Sequence, residues 1–134
     1  MPGVGRALGL AVSILVASVA HAAAQMGDLV MFETDQCAWC RLWHRDIGPI
    51  YPKSAEGRDL PLRRVDLAVP RPSDLASIMD IRYTPTFVVV VDGRELGRIV
   101  GYPGQDHFWA FMSALHARVK GAGAGAGASE VPAR

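Results

Sequence analysis

The chain has 134 residues, half of them apolar, with a formal net charge of +1 and only two cysteines. That length holds one domain with a small core. The near-neutral charge offers no basic footprint for nucleic acid, and two cysteines are too few for a disulfide-stapled scaffold.

The first 24 residues read as a secretory signal. Arg6 is their lone positive charge, Ala7 to Val19 is an apolar run, and Ala20-His21-Ala22 and Ala22-Ala23-Ala24 both suit cleavage. The run is shorter than the ~20 residues of a membrane span; an uncleaved anchor is the alternative. No cysteine follows the run and no twin arginine precedes it, which favours the general secretory route over lipoprotein or twin-arginine export. Cleavage removes Arg6 and no acid, so Lys+Arg falls from 14 to 13, against 13 Asp+Glu. The expected organisation is a signal over 1–24, a domain over 25–120 and a flexible Gly/Ala-rich tail over 121–134.

In chain order, Asp28 to Phe32 is the first strand. Cys37-Ala38-Trp39-Cys40 follows, at the start of a helix expected to run to Ile47, where Gly48-Pro49 ends it. Ile50 and Tyr51 read as a short apolar turn, and Lys53 to Asp59 as a polar loop. Pro61 to Leu67 is the second strand. After Pro70 and Pro72, Ser73 is the expected N-cap of a short helix over Asp74 to Met79, with Leu75, Ile78 and Met79 turned inward. Phe87 to Val91 is an unbroken apolar run, so its strand is expected to be central and buried on both faces. Asp92-Gly93 is a two-residue hairpin signal, and Arg94 to Val100 is the return strand. Gly101 to Gly104 is a turn. The last helix is expected over Asp106 to Val119, with Phe108, Phe111, Met112, Leu115 and Val119 on one inward stripe. A helical crossover makes the first two strands parallel, and the tight turn makes the last two antiparallel. The result is a mixed four-stranded sheet with helices on both faces.

The CxxC carries the chemistry. A helix start has unpaired N–H groups and the positive end of the dipole, both of which stabilise a thiolate at Cys37. Cys40 lies one turn on, with its Cα roughly 5.5 Å away, a separation that suits a reversible disulfide. Thiol–disulfide exchange through Cys37 as nucleophile and Cys40 as resolving thiol is the leading reading. A structural disulfide is disfavoured because so small a loop constrains little of the unfolded chain. A metal site is the competing reading: Cys37, Cys40 and His44 supply three ligands, with no second cysteine pair to complete a zinc site. A c-type haem is excluded, because Arg41 follows Cys40 where His is needed. Arg41 either favours the thiolate or is a solvated charge; His44 is either a ligand or proton carrier, or a boundary residue. Trp39 is expected to be exposed and either to touch a partner or simply to face solvent. Trp43 is read as core. His107 and His116 carry no signal.

This order of elements, with CxxC opening the first helix and Thr84-Pro85 opening the third strand, resembles the thioredoxin fold. The fold class is therefore α/β, a trimmed thioredoxin-like βαβαββα with a mixed four-stranded sheet. The resemblance spans about residues 28–119. The segments from Trp43 to Pro52, Pro61 to Asp66 and Arg82 to Phe87 are similar to the periplasmic thioredoxins encoded with bacterial sulfur-oxidation (Sox) genes, of the SoxS type. That likeness implies a periplasmic thiol–disulfide oxidoreductase that reduces a disulfide on a protein partner, a Sox protein among the candidates. It implies a membrane thiol transporter of the CcdA or DsbD type as electron donor. It also implies that Thr84-Pro85 is cis, faces the cysteines and pairs with substrate. No cofactor and no metal belong to this reading. Two departures stand out. Ala-Trp replaces Gly-Pro between the cysteines, which leaves the potential open, so a disulfide oxidase or isomerase remains a variant. Met31 stands where thioredoxin has a buried aspartate six positions before the first cysteine; Glu33 is nearby. A thiol-based copper or zinc carrier is the alternative from another class.

Overall fold

The computed structural model describes residues 24–127, with side chains through residue 125; residues 1–23 of the expected signal and 128–134 of the expected tail lie outside them. Strand β1 (Asp28–Glu33) leads into helix α1 (Ala38–Asp46). A 3-10 turn (Tyr51–Lys53) and helix α2 (Ala55–Asp59) follow, then strand β2 (Leu62–Asp66). After a second 3-10 turn (Ser73–Leu75), strands β3 (Thr86–Val91) and β4 (Arg94–Val100) form a hairpin, and helix α3 (Gln105–Gly127) closes the domain. The sheet order is β2-β1-β3-β4. Strand β1 pairs parallel with β2 and antiparallel with β3, and β3 pairs antiparallel with β4. The mixed four-stranded sheet and the thioredoxin-like architecture are as expected.

Period-two alternation along the central strands divides the core. Leu29, Met31, Phe87 and Val89 face α1 and α3, where they meet Trp43, Ile47, Phe108 and Met112. Val30, Phe32, Val88 and Val90 face the other way, onto Val65, Leu75 and Ile78. Helices on both faces were expected. Instead, the second face is covered by the Ser73–Leu75 turn and the segment after it. The chain there makes only one 3-10 turn, Pro72 occupies the cap position without a side-chain bond, and Ser73 is inside the turn. Met79 therefore points out, 63% exposed, rather than inward.

Three further differences have local causes. Helix α2 stands where a polar loop was expected. Ser54 caps it: its Oγ accepts from the Gly57 N–H at 2.9 Å and donates to the Tyr51 carbonyl at 2.8 Å. Glycine is required in the middle of so short a helix, because a Cβ at residue 57 would lie 1.9 Å from the Tyr51 carbonyl oxygen. Phe111, placed on the inward stripe of α3, is half exposed and packs on His107 at 4.5 Å between ring centroids; Phe108, Met112, Leu115 and Val119 are buried as expected. Finally, α3 does not stop at Val119 but runs to Gly127, through the first part of the stretch expected to be a flexible tail. An existing helix extends by propagation alone, without a new nucleus. Alanine, the best helix former, offsets the alternating glycines. Ala122 and Gly123 also line a groove together with Met26, Val91 and Leu96.

Candidate functional site: the disulfide at the head of helix α1

The site begins where β1 ends. Cys37 is the N-cap of α1, in extended backbone, and its Sγ accepts from the Cys40 backbone N–H at 3.1 Å. The helix start thus presents its unpaired donors to sulfur. Cys37 and Cys40 are joined as a disulfide with a Cα–Cα separation of 5.2 Å, close to the sequence expectation. Cys37 is 7% exposed and Cys40 only 2%. The outer sulfur is the accessible one, and the inner one is packed in the same cluster as Met31, Trp43 and Phe87.

Trp39 leaves this loop outward, 57% exposed. It forms one wall of a groove of about 400 Å³ whose other walls are Tyr83, Thr84 and the segment Val100 to Pro103. Thr84-Pro85 is cis, as the resemblance implied. Pro85 itself is buried. Its carbonyl accepts from the Gly101 N–H at 2.7 Å, and Thr86 Oγ1 donates to the Tyr83 carbonyl at 2.6 Å. The first bond ties the Thr84-Pro85 loop to the end of β4, and the second braces the loop internally. Gly101 has φ +80°, a conformation that glycine adopts without steric cost. Tyr102 closes the groove floor. Its hydroxyl donates to Asp46 at 3.2 Å, and its pKa is pushed up to about 12, first by burial and then by that bond. It therefore stays a donor through neutral pH. Asp46 sits below the ordinary carboxylate range because of the Arg45 guanidinium beside it.

Of the residues singled out in the sequence, Trp39 and Thr84 line this groove, Cys37 and Cys40 flank Trp39 at the head of α1, and Pro85 follows Thr84 as a buried residue. The Arg41 guanidinium turns away, donating to the Asp35 carbonyl at 3.1 Å. His44 is occupied by a carboxylate: its Nε2 donates to Glu33 Oε2 at 2.6 Å, and Arg64 bonds the other oxygen of Glu33. Among the described residues, no group of three or more His, Cys, Asp and Glu side chains is placed to hold a metal ion. Sequence reading missed two parts of the arrangement. The groove walls at Tyr83 and Val100 to Pro103 are distant in sequence from the cysteines and signalled only a turn. The Glu33–His44–Arg64 cluster was foreshadowed by strand alternation, which puts Glu33 on the same side of β1 as Leu29 and Met31. His116, which carried no signal, is buried and bonds Asp59 at 2.7 Å, tying α3 to the end of α2.

The thioredoxin-like domain family matches residues 17–116. The reduced periplasmic thioredoxin SoxS from Paracoccus pantotrophus is 40% identical, with a TM-score of 0.61, over 66% of this chain and 93% of that one. A thioredoxin from Malassezia sympodialis (Mala s 13) is 23% identical, with a TM-score of 0.51, over 69% of this chain and 77% of that one, a likeness of fold alone. Comparison with curated proteins gives no match.

Proposed function

The chain belongs to the thioredoxin-like domain family and is a thiol–disulfide oxidoreductase; from that premise we propose that it works as a periplasmic reductase of a disulfide on a protein partner. The observation that carries this reading is the position of Cys37, at the N-cap of α1 and two residues before Trp39, which walls a groove together with Thr84. Cys37 as thiolate attacks one sulfur of the partner's disulfide, forming a mixed disulfide and releasing the other sulfur as a thiolate. Cys40 then attacks Cys37 Sγ, the bond to the partner breaks, and the partner leaves reduced. Two electrons have passed to the partner, and the Cys37–Cys40 disulfide remains. A membrane thiol transporter of the CcdA or DsbD type must restore the dithiol. The signal-like first 24 residues support export, and the similar protein described as periplasmic supports the compartment. That protein's name also supports a partner in sulfur oxidation.

Thr84, Pro85 and Trp39 are assigned to substrate binding. The groove is mostly apolar, so Trp39 contributes contact area more than charge. Trp39→Ala is expected to raise the KM for a protein substrate by roughly tenfold, the loss of one interface anchor. The loss with a small aromatic disulfide is smaller, as steady-state kinetics with the two substrates will show. The experiment that tests the function is capture: Cys40→Ser, exposed to a periplasmic extract, accumulates a mixed disulfide with its partner that mass spectrometry identifies. A trapped sulfur-oxidation protein supports the full reading; an absence of any adduct contradicts it.

A further inference from the structure

The second step of this reaction needs a base. Cys40 is 2% exposed, in a cluster with Met31, Trp43, Ile47 and Phe87. A thiol in such surroundings ionises reluctantly, and bulk water has little access to it. Only three polar or charged residues are buried among the described ones: Glu33, Thr86 and His116. Thr86 is committed to the Tyr83 carbonyl and His116 to Asp59 of α2. Glu33 is the one carboxylate of the three, and it holds His44, a residue of the same helix as Cys40.

Glu33 is 7% exposed at the end of β1, and its Oε2 accepts from His44 Nε2 at 2.6 Å. His44 is four residues beyond Cys40 on α1, so the two side chains are neighbours on one helix face, about 5–6 Å apart at Cβ. A carboxylate that holds one ring nitrogen fixes the imidazole's orientation and leaves the other nitrogen to act. Arg64 from β2 bonds the far oxygen of Glu33, which balances the buried charge. Asp35 and Arg41 are further charged residues near this end of α1, and the Arg41 guanidinium donates to the Asp35 carbonyl. The Trp43 ring meets His44 edge-on at 5.3 Å between centroids.

We propose that the Glu33–His44 pair is the base of the resolving step, with His44 receiving the Cys40 proton, directly or through one water, and Glu33 as the positioning residue. The inference rests on the exchange reaction proposed above. In the step, the Cys40 S–H proton passes to the imidazole. The Cys40 thiolate forms the bond to Cys37 Sγ, the Cys37–partner bond breaks, and its electron pair leaves on the partner sulfur, which the imidazolium or water then protonates.

Reduced protein mixed with 5,5′-dithiobis(2-nitrobenzoate) separates the two steps. The first equivalent of thionitrobenzoate reports attack by Cys37, and the second reports resolution by Cys40. In His44→Gln, the ratio of second-phase to first-phase rates is expected to fall at least about tenfold at pH 7, a conservative loss for a general base. The second phase should also move to higher pH. Glu33→Gln should show the same direction to a lesser extent. A His44→Gln second phase with the wild-type rate and the wild-type pH profile from pH 5 to 9 overturns the proposal, whether or not Glu33→Gln folds. Absence of a first phase in the wild type overturns the exchange reading instead, so the two failures are distinguishable.

Discussion

Replacement of Cys37 by serine is expected to reduce disulfide turnover to the level of buffer alone. The thiolate is the attacking species, and a serine hydroxyl is not ionised at neutral pH. Nothing else at the site can substitute, because Cys40 is the only other cysteine in the chain and its sulfur is buried beneath the first. Cys40→Ser should behave differently. It keeps the first attack, releases a single equivalent of leaving thiol and stops at the mixed disulfide. The pair of variants, assayed by reduction of a protein disulfide and by counting released thiol, separates nucleophile from resolving thiol. Residual turnover in Cys37→Ser sinks the assignment of roles.

The largest effect on stability is expected at Trp43. Its ring is fully buried and lies 5.1 Å from Phe87, 5.5 Å from Phe108 and 6.1 Å from Tyr51 between centroids. Trp43→Ala should cost about 3–5 kcal/mol. Total stability for a domain of this kind is about 5–15 kcal/mol, so the loss is a large fraction of it. A fall in Tm of roughly 12 °C or more follows from about 4 °C or more per kcal/mol. Trp43→Phe should cost far less. The indole Nε1 has no hydrogen-bond partner, so deleting its N–H breaks no bond. Thermal melts of the two variants check the contrast. A Trp43→Ala melt within a few degrees of wild type contradicts this account of the core. Because Trp43 shares its cluster with both cysteines, the alanine variant should also loosen the seat of Cys40.

The parts of the molecule that could be read from sequence are those with a strong local signal. The run from Phe87 to Val91 has few ways to be accommodated except as a doubly buried strand. Asp92-Gly93 takes positive φ at both residues, as a tight hairpin turn demands. The two cysteines mark a helix start that the structure places within a residue of expectation. The misreadings come from tertiary context. Helix α2 is too short to show a period, and its glycine argues locally against helix; only the nearby Tyr51 carbonyl explains why glycine stands there. Met79 and Phe111 are apolar and correctly spaced, yet the chain makes a single 3-10 turn before the first, and the second is half exposed beside His107 on α3. The site was half legible. Cys37, Trp39 and Cys40 form one motif, whereas Tyr83, Val100 and Tyr102 meet Trp39 only after the sheet has formed. Glu33 and His44 lie eleven residues apart and join only when α1 folds back over β1.

The direction of electron flow is the central claim, and the reduction potential of Cys37/Cys40 tests it most directly. The domain is equilibrated in thiol/disulfide buffers and its oxidised fraction read by alkylation. A reductase predicts a value near about −270 mV, in the range of thioredoxin; a value near about −120 mV, in the range of DsbA, makes the protein a disulfide donor and contradicts the account.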